Sequence, residues 1–446
     1  MFTRTRTRRR TAVVVSAFAA IALAACSSTA VEAPSEEETE DALSAPTTLT
    51  LWTWVPGIEA QVALFEEAYP NITVNLENVG QGGEHYTKVR TALEAGTGAP
   101  DVIHMEYQFI SSFRVTDSLL DLSPYGARDL EPDFTPWVWG QVADDAGVWA
   151  IPMDAGPMGN LYREDILAEA GITAAPETWD DFAAAAEAVR EQTGSYLTNL
   201  PSNEGGAFVG LLWQAGAKPF GYDGAETVTI NIDSPESQQV VDYWQDLIDR
   251  DLVAVDPNFT DTWYQGLANG TYASWQTAAW GPLFLSGTAA DTSGLWRAAP
   301  LPQWDAANPA SGNWGGSSYA VVNTTENPIA AAELAKWINT DPESTLLLAT
   351  DQFLFPTLQS VLADDAFAGQ ELEFYGGQQV NALFAEISET IDTEFEWLPF
   401  MDFVYTAFPE TLGAEIADRG DLRAGLTAWQ DAVVEYALSQ GFTVAD

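Results

Sequence analysis

The sequence predicts an α/β protein of two lobes, on three observations. Stretches of strand and helix period alternate from residue 48 onward, about 400 residues are more than one domain usually holds, and no second long apolar run interrupts them. TLTLW at 48–52 reads as a strand, and Ile58, Val62, Phe65 and Tyr69 then recur at helical spacing until Pro70 and Asn71 stop them. Ile72, Val74 and Leu76 alternate as a second strand. Tyr86, Val89 and Leu93 line a helix ended by Gly96, and DVIHM at 101–105 is a third strand. This alternation predicts parallel sheets covered by helices. Capping residues announce further helices: Thr178 before WDDFAAAAEAVR, Ser234-Pro235 before Val240, Val241, Trp244, Leu247 and Ile248, and Asn327-Pro328 before an alanine-rich run. A last helix carries Leu422, Leu426, Trp429, Val433 and Tyr436 on one face, and no internal repeat is visible.

Upstream of these elements, residues 1–10 carry five arginines and no acid, and residues 12–25 are almost wholly apolar. That is the order of a secretory signal, and its run of 14 residues falls short of the roughly 20 that span a bilayer. The run stops at Cys26, the only cysteine, and Leu23-Ala24-Ala25-Cys26 looks like a bacterial lipobox, with Cys26 as the lipid attachment point. Arg9-Arg10 also fits twin-arginine export, so the export route stays open. Residues 26–47 are rich in Ser, Thr, Pro, Ala and Glu and are expected to form an acidic, disordered tether.

Without residues 1–25 the chain has 12 basic residues against 65 acidic ones, a net charge of −53. Such a balance, with lysine only at 88, 218 and 336, excludes a basic nucleic-acid face and leaves any membrane association to the lipid. The acid excess itself is read as a solubility device. None of the lysines is followed by Ser or Thr, so there is no Walker-type phosphate loop. His85 and His104 stand 19 residues apart, which rules out an HExxH zinc site, and no GxSxG elbow or EF-hand loop occurs. No cofactor and no metal site is expected, although a calcium site made of carboxylates stays open.

Open α/β sheets bind ligands beyond the C-terminal ends of their strands, where this chain is aromatic and amide-rich. Trp52 and Trp54 follow the first strand, Asn78 and Gln81 the second, and Glu106, Tyr107 and Gln108 the third; WQTAAWGP, SGNWGGSS and FYGGQQVN come later. With 17 Trp, 14 Tyr and 21 Phe, the chain can supply flat surfaces for the C–H face of a sugar and carboxylates or amides for its hydroxyl rim. Trp244, Trp337 and Trp429 sit on helical apolar faces and are assigned to the core. Trp54, Trp280 and Trp314, flanked by Gly or Pro, are the better ligand candidates.

The segments LWTWVPGIEAQVALFEEAYPNI, ALEAGTGAPDVIHMEYQF, WAIPMDAGPMGNLYRED, ETWDDF, LLWQAGAKPF, SGNWGGSSYAVV and FVYTAF resemble the family-1 extracellular sugar-binding proteins of ABC importers, the maltose-binding-protein group. The resemblance covers residues 48–446 in the family's order. It implies a two-lobe periplasmic-binding-protein-like fold of type II, with ligand in the cleft and three hinge crossings near Asp154, near Gly315 to Ser317 and near residues 360–372. The expected lobes are 48–154 with 318–365, and 155–317 with 366–446. By the same likeness Trp54, Gln81, Glu106, Tyr107, Gln108, Asp154, Asn203, Glu204, Trp280, Trp314 and Gly315 are candidate ligand residues. The implied protein is a monomeric, non-enzymatic transport receptor, lipid-anchored on the extracellular face of the cell membrane. Its implied partners are a sugar, expected to be a di- or oligosaccharide, and permease subunits served by a separate ATPase chain. A secreted glycoside hydrolase, using two of the many carboxylates, and a passive surface lectin are the alternatives.

Overall fold

The computed structural model describes residues 33–352 and 354–445. The signal segment and Cys26 lie outside the described residues. Residues from Pro34 onward form one compact unit.

Ten strands are described: β1 (Thr47–Trp52), β2 (Ile72–Glu77), β3 (Val102–Glu106), β4 (Ile151–Arg163), β5 (Phe220–Tyr222), β6 (Thr227–Ile230), β7 (Ser274–Ala278), β8 (Trp296–Pro300), β9 (Asn313–Val321) and β10 (Thr443–Ala445). The first five α-helices are α1 (Glu36–Ser44), α2 (Glu59–Ala68), α3 (Gly83–Ala95), α4 (Tyr107–Arg114) and α5 (Pro136–Val142). The first strands and helices fall where hydrophobic period places them. β1, β2 and β3 are parallel, with β1 in the middle. Beyond β3 the expectation of parallel pairing fails, because β9 runs antiparallel to β3 and β4 antiparallel to β9. The main sheet has the order β2-β1-β3-β9-β4-β7, with β8 also on β4, and β10-β6-β5 forms a small separate sheet.

The two lobes share β4 and β9. The first half of β4 pairs with β9, from Ile151 opposite Tyr319 to Pro157 opposite Asn313. Its second half, Met158 to Arg163, pairs with β7 and β8. Register irregularities at Pro152/Asp154 and Ala155/Pro157 interrupt the ladder just before β4 passes from β9 to β7 and β8. Residues 355–357 touch the same point, since the Ala155 N–H donates to the Phe355 carbonyl (3.0 Å) and the Thr135 N–H to that of Thr357 (3.0 Å). This third contact falls just ahead of the stretch 360–372 expected for the last crossing.

Helix capping follows the sequence at Thr178, whose side chain forms a capping box with Asp181, and at Ser234, which accepts from the Ser237 N–H. Asn327, by contrast, makes no side-chain cap bond. Trp244 and Trp429 are fully buried as assigned, and half-buried Trp337 packs edge-on against Phe65. The tether is corrected in part. Ser35 and Glu38 form a capping box that starts α1, and α1 packs on the helix Pro328–Ile338. A local cap thus orders residues that composition alone assigns to disorder, and β1 begins at Thr47 inside the expected tether. No helix among the described residues is long and apolar enough to cross a membrane.

Candidate functional site

The first-lobe wall grows from the ends of β1 and β3. Two residues past β1, half-buried Trp54 lies flat on His104 of β3, with ring centroids 3.9 Å apart and an 18° interplanar angle. Its edges meet His85 at 4.8 Å and Tyr86 at 6.1 Å, both on α3. The histidines are spent on structure. His85 Nε2–H donates to the His104 carbonyl (3.1 Å), and His104 Nδ1 lies 3.3 Å from the Thr53 hydroxyl. Burial pushes His85 down to about 4 and His104 to about 3, so both are neutral near pH 7.

Glu106 closes β3. The Tyr86 hydroxyl donates to its Oε2 (3.1 Å) and accepts from its N–H (2.9 Å). Burial raises Glu106 to about 7, against the lowering effect of the Tyr86 and Gln108 hydrogen bonds. Gln108 is buried beside it. Tyr107 is turned away from this group: it is 1% exposed, and its hydroxyl donates to the Asp154 carbonyl (2.7 Å), bracing the crossing. Gln81 is exposed in the turn before α3 and has no hydrogen bond to the other candidates.

At the crossing the Asp154 carboxylate accepts from the Ser317 hydroxyl, which ties β4 to β9, and burial raises it to about 6. Gly315 and Gly316 adopt φ of +86° and +87°, open to glycine at little strain. A Cβ on Gly156 would stand 2.1 Å from the Trp314 carbonyl oxygen, so the two strands approach more closely here than any side chain permits.

The second-lobe wall is aromatic. Trp280 caps the helix Gly281–Thr288, donates its indole N–H to the Trp314 carbonyl (3.0 Å) and meets the Trp314 ring edge-on at 4.7 Å. Trp314 in turn covers Gly206, where a Cβ would be 2.9 Å from its Nε1. Glu204 precedes the helix Gly205–Gln214 and is raised to about 7 by burial alone. Asn203 is occupied: its amide donates to Glu204 (3.1 Å) and to the Asn258 carbonyl (3.2 Å), and its oxygen accepts from the Asn258 N–H (2.8 Å).

The walls meet at Tyr405, on the helix Met401–Ala407. Burial first, then the charges of Glu106 and Glu204, raise its phenol, so both carboxylates lie near it. On the same helix Asp402 takes a hydrogen bond from Arg90 at 3.0 Å, an ion pair that ties this helix to α3. FVYTAF is legible in the sequence as a landmark, but nothing local singles out Tyr405 within it, and nothing signals Arg90 or Asp402. The structure links Trp54 to Glu106 through Tyr86, sets Gln108 and Asp154 near Glu106, Glu106 and Glu204 near Tyr405, and Trp280 against Trp314 and Gly315; it places Tyr107 and Asn203 in supporting bonds and leaves Gln81 apart. A cavity of about 680 Å³ lies on another face of α4, and of the candidates only Tyr107 lines it. It is bordered by Arg114, Trp149, Tyr222 and Trp397, and so is separate from the carboxylate cluster.

Residues 52–344 match the family model described as bacterial extracellular solute-binding protein. The chain is 31% identical to an ABC-transporter-associated binding protein of B. animalis subsp. lactis solved with β-1,6-galactobiose, covering 90% of this chain and 99% of that one at a TM-score of 0.76. It also superposes on the galacto-N-biose/lacto-N-biose I-binding protein of Bifidobacterium longum, with 23% identity, coverage of 89% and 98%, and a TM-score of 0.78. Among curated relatives, an arabinooligosaccharide-binding protein of Halalkalibacterium halodurans is 26% identical over 66% of this chain and 67% of its own length. The β4–β9 ribbon and the match over most of the sequence agree: this chain belongs to the bacterial extracellular solute-binding protein family.

Proposed function

We propose that this protein captures a neutral di- or oligosaccharide between its lobes outside the cell and delivers it to an ABC-type importer. One observation carries the reading: half-buried indoles, Trp54 stacked on His104 and Trp280 edge-on to Trp314, accompany the buried carboxylates Glu106 and Glu204, which both act on Tyr405. Rings of this kind suit the C–H face of a pyranose, and Glu106, Asp154 and Glu204 offer acceptors for its hydroxyls. A sugar touching both walls makes contacts that exist only when the lobes are together, so binding favours closure. The relatives described as binding arabinooligosaccharide, lactose and β-1,6-galactobiose support a short glycan as cargo.

The rest of the reading completes a transport receptor. Cys26 carries the lipid, the mature protein sits as a monomer on the outer face of the membrane, and the permease and its ATPase are other chains. The lobes are taken as 48–154 with 318–365 and 155–317 with 366–446. The ligand is bound without being cleaved. Titrating tryptophan fluorescence with lactose, β-1,6-galactobiose and arabinooligosaccharides tests the reading, with saturable binding of at least one expected. Release of shorter sugars at catalytic rates during the same incubation would overturn it in favour of a hydrolase.

A further inference from the structure

Phe259 has a backbone that its residue type disfavours. Its φ is +63°, a left-handed conformation in which a Cβ crowds the following carbonyl oxygen, and bulky side chains rarely adopt it. The residues on either side hold it there. Asn258 before it is gripped through its N–H and carbonyl by Asn203, and through its side-chain oxygen by the Asn199 amide at 2.8 Å. Thr260 after it caps the helix Asp261–Asn269, accepting from the Trp263 N–H at 3.2 Å.

The strain places the half-buried ring at the centre of the second-lobe wall. Its centroid lies 6.2 Å from Trp280 and 6.0 Å from Trp314, the two indoles assigned to ligand, and 5.5 Å from Trp263 and 6.4 Å from Trp275 behind them. An ordinary extended or helical backbone at this position would aim the side chain elsewhere. A strained conformation held by its surroundings, beside a binding cleft, is a functional hypothesis in its own right.

We propose that Phe259 is a specificity-determining residue, the third side of an aromatic corner with Trp280 and Trp314 that receives one ring of the bound glycan, and that Asn203 is its positioning residue. This rests on the sugar-binding reading above. The corner takes a neutral pyranose by its apolar face; a carboxylated sugar would bring a second negative charge beside Glu204. Asn203 thereby acts on ligand through the backbone of residue 258 rather than by touching it.

The test compares four proteins, wild type, Phe259→Asn, Phe259→Trp and Asn203→Ala, each titrated with lactose and β-1,6-galactobiose by calorimetry and melted in parallel. Asparagine tolerates the left-handed backbone, so Phe259→Asn is expected to stay folded while binding roughly five- to tenfold more weakly. Phe259→Trp is expected to restore affinity to within about threefold of wild type, and Asn203→Ala to lose about threefold with the ring still present. Wild-type affinity in Phe259→Asn overturns the proposal, as does a loss that tracks the unfolding temperature and is not rescued by tryptophan. If the wild type binds neither these sugars nor arabinooligosaccharides, the sugar reading itself fails and takes the corner with it. Binding by the wild type with equal binding by Phe259→Asn removes the corner alone.

Discussion

The wall around Trp54 and the wall around Trp280 hold their aromatic rings by opposite means. On the first lobe the ring rests on a polar frame: His104 beneath it, His85 at its edge, and hydrogen bonds linking Thr53, His104 and Tyr319 behind. These residues stand at the ends of neighbouring parallel strands and on α3, and the loop glycine Gly82 and helix glycine Gly83 have nothing within 4 Å of an added Cβ. On the second lobe the rings rest on one another and, at Gly206, on bare backbone; behind them main chains approach closely at Gly156 and Gly312, and Phe259 sits in a left-handed turn. The first wall is set by hydrogen bonding and leaves room for a methyl at Gly83. The second is set by contact distance and leaves none at Gly312.

The sharpest way to break this contrast is a pair of glycine replacements. In Gly312→Ala the new methyl would lie 1.9 Å from the Gly210 carbonyl oxygen, backbone against backbone, and a loss of about 3 kcal/mol or more in urea unfolding is expected. Gly83→Ala, in the first turn of α3, should leave stability unchanged or raise it by up to about 1 kcal/mol. Equal losses in both would end the distinction.

Next in size are the indoles. Trp54→Ala and Trp280→Ala should each weaken sugar binding about tenfold or more in a fluorescence or calorimetric titration. Only Trp280→Ala should also lower the unfolding temperature clearly, since it removes the bond to the Trp314 carbonyl at the crossing. An unaltered affinity in either variant takes that residue out of the site.

Acid separates the histidines from the buried carboxylates by sign, and the first wall holds both kinds, His85 and His104 beside Glu106. Their folded values of about 4 and about 3 lie below the ordinary 6.5, so they favour folding above pH 6.5 and that contribution is lost as pH falls toward 4 and 3. The carboxylates run the other way. Glu204, raised from 4.5 to about 7, and Asp154, raised from 3.8 to about 6, contribute fully below their ordinary values and lose that contribution as pH climbs through 6 to 7. Melting curves from pH 4 to 8 should therefore lose their acid-side slope in His104→Gln and soften on the neutral side in Glu204→Gln. Identical profiles in wild type and His104→Gln would show that the histidines do not set the acid limb.

The smallest effect is expected at the ion pair that ties α3 to the helix Met401–Ala407. Arg90 and Asp402 are 37% and 41% exposed, so solvent screens them and the pair is worth less than about 1 kcal/mol. Arg90→Ala should speed sugar dissociation only about two- to fivefold, and added salt should shrink the difference. A stopped-flow measurement at two ionic strengths reads both.

The contrast also marks what the sequence makes legible. Alternation and helical period locate β1, β2, β3 and the helices between them, and the local caps at Thr178 and Ser234 can be read because their partners are three residues away. The same kind of cap at Ser35 is hidden by the composition around it, which is why α1 departs from the expected disorder. Strand direction beyond β3 depends on β9, which arrives some 200 residues later, and periodicity is blind to that pairing. At the site, Trp54 and Glu106 follow from strand ends, and Trp280 and Trp314 from aromatics flanked by glycine and proline. Asn203 is a candidate only through the family resemblance, and the fold shows that Asn258 occupies its amide. Phe259 and Tyr405 owe their places to long-range contacts, which no local pattern announces.

Sharing β4 and β9 between lobes also fixes an order of events for a growing chain. β3 is finished at Glu106, yet its outer neighbour β9 does not exist until Asn313 to Val321 have been added. For roughly 200 residues of synthesis the sheet keeps an open edge with unpaired N–H and C=O groups, an invitation to pair with another chain. The first lobe thus cannot be completed before most of the second has been made, so folding is a slow, non-local process, and a helper that covers an exposed strand edge would find its target there.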